Sequence, residues 1–408
     1  MKEGFVHRFV DNGDLFNALR VFRLIPRSFF LLNYTEQHVC VRILRLKLQV
    51  ENLYATRSAI LTEMLERGIR PNRFMVNVIM TNAVEGEDYN TVWKVHALTA
   101  GNGMKPDDIT YDLLLRVARD METVENIRKE ASEAGIFPKV PRLVATYLVS
   151  VFKLAQAQDS DSMVFDLLLP TYREFFDILP LNDLLGLRLD QDEGARNWEV
   201  NHVALGIMIL AYLRQTRHGR DTHQIYQNYM KLIQTGHPVW LELAKTDHTA
   251  NAFVWALGQR ADTLHLCISV LEDMIKYSAS LGVMPPKEMT WSMLLNNFLY
   301  HGQISAAERV LSIMKARGVE TQQMTWSNIV AAYARTQDVG AAVDALIRLE
   351  KNGFSIDERT IKALGLIHDR ERLREALEAV SQKPSTDGNV SKLSSADDTS
   401  VYQAVGAV

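Results

Sequence analysis

Between Glu288 and Gln322 the apolar side chains recur in two stretches. Met289, Leu294, Leu295, Phe298 and Leu299 fall on one face of a helix. Ala306, Ala307, Val310, Leu311 and Met314 make a second stripe at i, i+3, i+4 spacing. His301, Gly302 and Gln303 break the pattern between them. The pattern predicts a helical hairpin whose second helix starts with small residues, which allows close approach to the first. A single hairpin leaves its stripes open to water, and stacking neighbours covers them.

The next stretch has the same layout. The word Met-Thr-Trp-Ser occurs at Met289 to Ser292 and again at Met324 to Ser327, 35 residues on. Ala341 and Ala342 match Ala306 and Ala307, Gly353 matches Gly318, and Thr360 opens a third repeat in the same register. Glycine followed by a helix-stopping context also appears at Gly68, Gly103, Gly135, Gly236 and Gly282. Such a glycine takes the left-handed conformation that ends a helix, and the apolar residue after it packs back on the last turn. A proline shortly afterwards keeps the helix from resuming. The expected fold is therefore an all-α solenoid of stacked helix-turn-helix repeats.

The pattern divides the chain into a partial repeat at 1–35, repeats at 36–168, and a diverged repeat with an insertion loop at 169–200. Degenerate repeats follow at 201–287, clear ones at 288–382, and a Ser/Thr/Asp-rich tail without helical periodicity at 383–408. Val10 to Phe22 matches the turn and second helix of a repeat. The chain is thus expected to begin inside a repeat and to continue upstream through a targeting segment.

Composition narrows the class. The 408 residues are 47% hydrophobic and 23% charged, as in a folded protein but too long for one compact core. Net charge is −4, unlike a strongly basic nucleic-acid binder, although the first 75 residues are richer in Lys and Arg than in Asp and Glu. Cys40 and Cys267 lie far apart in apolar runs and read as buried free thiols. No apolar run is long enough to span a bilayer.

The repeats open on Thr-aromatic-polar (Thr110–Asp112, Thr290–Ser292, Thr325–Ser327) and tend to close on Gly-apolar-x-Pro-Asp/Asn, as at Gly68 and Gly103. In length and motif this resembles the pentatricopeptide repeat family, of the fungal-type mitochondrial style, at residues 36–139 and 288–381. The resemblance implies a right-handed α-solenoid that binds single-stranded RNA, one base per repeat. By motif match the base-reading positions are Asn77 with Asp107, Asp112 with Lys139, Ser292 with Gln322, and Ser327 with Asp357; Lys362 has no usable partner. The base-packing positions are Phe74, Ile109, Met289 and Met324. Trp291 and Trp326 are expected between helices. Arg42, Arg45 and Lys47 form a basic cluster suited to phosphates.

Sequence signatures of catalysis are missing: no HExxH, P-loop, GxSxG or GxGxxG before a helix. His202, His218, His223, His248 and His265 are too scattered to suggest a metal site. The repeats leave no room for an added nuclease domain. A non-enzymatic, cofactor-free RNA-binding protein of the mitochondrial matrix is expected, acting in RNA processing, stability or translation. The alternative is a protein-binding scaffold, such as an assembly factor for a respiratory complex or the mitochondrial ribosome.

Overall fold

The computed structural model describes residues 72–381, apart from 102, 159–162, 197 and 217–218, together with residues 12, 17, 18, 20 and 21. The basic cluster Arg42, Arg45 and Lys47, the tail at 383–408 and all but those five residues of the partial repeat at 1–35 lie outside the stretches it describes. Among the described residues there are 18 α-helices and no strand; one isolated bridge joins Phe176 and Trp198. Two compact units divide the chain: residues 1–177 with 191–207, and 178–190 with 208–408.

In the first unit, α1 (Arg73–Glu85), α2 (Tyr89–Gly101), α3 (Asp108–Val117), α4 (Met121–Glu133), α5 (Pro141–Ala157) and α6 (Val164–Phe175) form three hairpins. The first helices of the hairpins stack in a row, α1 on α3 and α3 on α5. Pro170 sits inside α6, where the sequence pattern suggested an interruption. Its ring lies on the exposed side while Leu168, Thr171 and Tyr172 stay buried, so the apolar stripe carries through.

The second unit holds α7 (Leu179–Leu185), the larger part of α8 (His202–Gln215), α9 (Gly219–Gln234), α10 (Pro238–Ala244), α11 (His248–Leu257) and α12 (Leu264–Leu281). These are followed by α13 (Glu288–Tyr300), α14 (Ile304–Ala316), α15 (Gln323–Arg335), α16 (Val339–Lys351), α17 (Glu358–Leu364) and α18 (Arg370–Ser381). Here α9, α11, α13, α15 and α17 stack in sequence, with α12, α14 and α16 packed behind their partners.

The repeat-ending glycines do what the sequence asks. Gly103, Gly135, Gly236, Gly282, Gly318 and Gly353 all have φ between 67° and 84°. After α14, Val319 N–H reaches back to the Met314 carbonyl at 2.9 Å and Gly318 N–H to Lys315 at 3.1 Å. This bonding satisfies carbonyls that the helix end would otherwise leave open.

The core follows the predicted stripes except at Met289 and, in part, at Ala306, which is half-buried. Leu294, Leu295, Phe298, Leu299, Ala307, Val310, Leu311 and Met314 are buried, but Met289 is 53% exposed. It sits in the first turn of α13. Trp291 and Trp326 are buried, with Arg317 and Arg348 over their rings at 5.4 and 5.0 Å. Cys267 is a buried free thiol, 3.4 Å from the Val254 carbonyl, and burial pushes its pKa up to about 12.

Candidate nucleic-acid interface

The first turn of each stacked helix carries two kinds of candidate side chain, and the fold treats them oppositely. The second residues stay open: Phe74 and Ile109 in the first unit, Met289 and Met324 in the second, are 36–53% exposed. The polar fifth residues Asn77, Asp112, Ser292 and Ser327 are all less than 9% exposed. One turn of helix separates the two positions, so they share a face.

Asn77 and Asp107 meet. Asn77 Nδ2 donates to the Asp107 carboxylate, at 3.0 Å from Oδ1 and 2.9 Å from Oδ2. The Thr110 hydroxyl lies 2.9 Å from Asn77 Oδ1 and 2.8 Å from Asp107 Oδ1, and Thr110 N–H caps α3 on the same carboxylate at 2.9 Å. A carboxylate can only accept and the hydroxyl has one hydrogen to give, so the carboxamide has a single sensible orientation.

The same trio recurs in the second unit. Ser327 and Thr360 share a hydrogen bond of 2.9 Å, and the Thr360 hydroxyl and N–H donate to Asp357 Oδ1 at 2.7 and 2.8 Å. Those two bonds hold the Asp357 carboxyl below its usual range. In both trios the fifth residue of one helix meets the hydroxyl of the third residue of the next, and that hydroxyl lies within hydrogen-bond reach of the aspartate that caps its helix.

The other pairs are not assembled this way. Asp112 bonds to Thr146 at 2.6 Å and Arg116 at 2.9 Å rather than to Lys139, which is exposed. Gln322 is exposed at the cap of α15 and makes no side-chain cap bond, while the Ser292 hydroxyl is buried without a hydrogen bond. Lys362 pairs with Glu358 at 2.7 Å on the surface. Asn328 Nδ2 donates to Asn296 Oδ1 at 2.9 Å, a further polar rung between α13 and α15.

Sequence reasoning marked Thr110 and Thr360 as helix starts but missed them as bridges. The signal was present as Asp-x-x-Thr, a spacing that places the threonine at the third helical residue, within reach of the cap. Arg116 and Thr146 carried no comparable signal. Among the described residues no cluster of His, Cys, Asp or Glu suits a metal ion, and no helix is long and apolar enough to cross a membrane.

The chain and known proteins share this architecture. Residues 287–392 match the family model described as pentatricopeptide repeat-containing protein. Two solved structures of the pentatricopeptide repeat protein PPR10 align with it, one in complex with an 18-nt psaJ RNA element and one a cysteine-to-serine variant with the same RNA. Each has a TM-score of 0.58, 17% identity and 90% coverage of this chain. The alignment takes in 48% of either PPR10 chain, so this chain spans about half their length. No curated protein matches it significantly. The fold is thus the helical-hairpin repeat fold of pentatricopeptide repeat proteins, and residues 287–392 match that family's own repeats.

Proposed function

We propose that this chain is a non-enzymatic pentatricopeptide repeat protein that binds single-stranded RNA along the second residues of its stacked helices. The carrying observation is a pair of exposed apolar side chains on the stacked helices of each unit, Phe74 and Ile109 in the first and Met289 and Met324 in the second. Each is one turn from a buried polar residue. A face that pairs an apolar platform with a recessed polar group suits a nucleobase, which offers a flat ring and a hydrogen-bonding edge. PPR10 in complex with an 18-nt RNA element supports the reading by likeness of fold. The proposed setting is the mitochondrial matrix, with an effect on the processing, stability or translation of a transcript.

The test is salt-titrated binding of random-sequence single-stranded RNA. Met289→Ala with Met324→Ala should weaken binding, by less per base than the roughly 1–3 kcal/mol of an aromatic stacking partner. Stability should stay within ~0.5 kcal/mol, because both side chains face solvent. Absence of binding at low salt sinks the reading.

A second reading rests on a different observation. Asn77, Asp112 and Ser327 already have partners inside the protein. A scaffold for a respiratory or ribosomal assembly complex needs no free polar edge there. Co-purification with such a complex, and no RNA binding, would favour it.

A further inference from the structure

Methionine is divided sharply between core and surface. Met75, Met80, Met208, Met274 and Met314 are buried in the helix stacks. Among the described residues only Met163, Met289 and Met324 are exposed. Two of these three hold the same place in consecutive repeats, as the second residue of α13 and of α15, each inside the word Met-Thr-Trp-Ser. The first unit has Phe74 and Ile109 at that place, and neither carries sulfur.

A thioether open to water reacts with peroxides, and a buried one is shielded. The sulfur lone pair attacks one peroxide oxygen. The O–O bond breaks, an S–O bond forms, and with hydrogen peroxide the departing hydroxide takes up the remaining proton as water. Sulfur is oxidised by two electrons and the peroxide is reduced by two. The product is a polar, chiral sulfoxide, which methionine sulfoxide reductases turn back into the thioether. Cys267 is a poor competitor for the oxidant: it is buried on α12, and burial keeps its thiol protonated.

We propose that Met289 and Met324 are a reversible oxidation site, through which a peroxide lowers the RNA affinity of the second unit. The inference rests on the RNA-binding reading and adds a switch to it. In that reading the two side chains lie against base faces. A sulfoxide puts a strongly polar S=O on that surface, which loses the apolar contact and demands hydration. The fold does not register the change, because both side chains face solvent. Lost binding with stability kept separates this site from general oxidative damage, which reaches the buried methionines. Met163 is the internal comparison. It is as exposed as the pair, but it stands at the start of α6, which is not one of the stacked first helices.

The experiment treats the full chain with limiting hydrogen peroxide. Peptide mass spectrometry locates each added oxygen, fluorescence anisotropy reads affinity for random-sequence single-stranded RNA, and a thermal melt reads stability. Sulfoxide should form at Met163, Met289 and Met324 before any buried methionine. Affinity should fall by about fivefold with Tm nearly unchanged, and methionine sulfoxide reductases should restore it. Met289→Leu with Met324→Leu keeps an apolar side chain at both places without the sulfur. That double variant should bind within about twofold of the parent and ignore peroxide. Met163→Leu should leave the peroxide effect intact. A double variant that loses affinity to peroxide as the parent does overturns the site. Recovery with dithiothreitol alone also overturns it, since that assigns the effect to a thiol, and so does equal oxidation of buried and exposed methionines. Failure of the untreated protein to bind RNA overturns the RNA-binding reading, and the switch with it.

Discussion

Arg348 grips Glu308 with two parallel bonds, Nη1 to Oε1 at 2.8 Å and Nη2 to Oε2 at 3.0 Å, across 40 residues of chain. Tyr333 donates to the same carboxylate at 3.1 Å, and the guanidinium lies 5.0 Å from the Trp326 ring centre. One carboxylate on α14 thereby ties down both helices of the following hairpin. Burial alone would raise the Glu308 pKa, but the bonds and charge of Arg348, with the Tyr333 hydroxyl, outweigh it and hold the carboxyl below the usual 4.5.

The sign of the pH effect follows. A carboxyl with a lower pKa folded than unfolded favours folding above its unfolded value, and that contribution is lost as pH falls through the folded value. Glu308→Gln should therefore lower stability near neutral pH by about 1 kcal/mol, a figure discounted because nearly a third of each side chain meets solvent. The gap between variant and parent should close as the pH is taken well below 4.5. Thermal melts across that range check it; a gap that stays constant into acid means the pair adds nothing through its charge.

The trios give a second prediction. Asp107 and Asp357 cap their helices, and Asp107 also holds Asn77 of the helix before, whereas Gln322 makes no side-chain cap bond. Gln322→Asp should cap α15 at Thr325 N–H and stabilise the protein by about 1 kcal/mol. Asp107→Ala, in the other direction, loses a cap and takes away the acceptor of the buried Asn77 Nδ2, and should cost roughly 2–3 kcal/mol. Urea unfolding distinguishes the cases; a destabilised Gln322→Asp would show that the two sites are not equivalent.

How much of this could be read from the sequence depends on the range of the interaction. The hairpin, its register and its stops are local, and glycine at 318 and 353 announces them without tertiary knowledge. The Asn77 and Asp107 pair was legible as two positions of one repeat. That they bond to each other was not, since the bond depends on how α1 and α3 stack. Met289 shows a limit of periodicity: it has the right phase for the core but no neighbour to cover it. Around α11 the sequence says less, because the spacing from Gly236 to Gly282 is 46 residues and the 35-residue register no longer says which residue faces which.

A close approach between α11 and α13 gives a third prediction. A Cβ built on Gly258 would fall 1.9 Å from Asn297 Nδ2 and 2.1 Å from its Cγ. Asn297 cannot simply swing away, since it donates to the Val254 carbonyl at 2.9 Å, and His301 Nε2 lies 2.9 Å from the Gly258 carbonyl. Gly258→Ala should destabilise by roughly 1–3 kcal/mol through overpacking and the lost bond. Asn297→Ala alone loses the bond. In the double variant the clash is gone, so its cost should fall short of the two single costs together by about 1 kcal/mol or more. Additive costs in a double-mutant cycle would refute the clash.

The turn inside each hairpin supplies the last prediction. Gly302, Gln337 and Glu87 occupy it with φ of 71°, 60° and 58°. Glycine adopts that geometry freely, while a residue with a Cβ is held there at a cost of about 1 kcal/mol or more. Gln337 offsets the cost: its Nε2 donates to the Ala334 and Leu366 carbonyls at 2.9 Å, and its Oε1 accepts from His368 N–H at 2.8 Å. It thereby stitches one turn to the next. Glu87 shows no comparable set of bonds around its turn. Glu87→Gly should therefore stabilise the protein by about 0.5–1 kcal/mol, and Gln337→Gly should destabilise it, since the loss of three bonds outweighs the relieved strain. The same substitution at the same turn position thus has opposite signs in the two hairpins, which melting temperatures resolve directly. Equal shifts in one direction would mean that backbone geometry alone governs the turn.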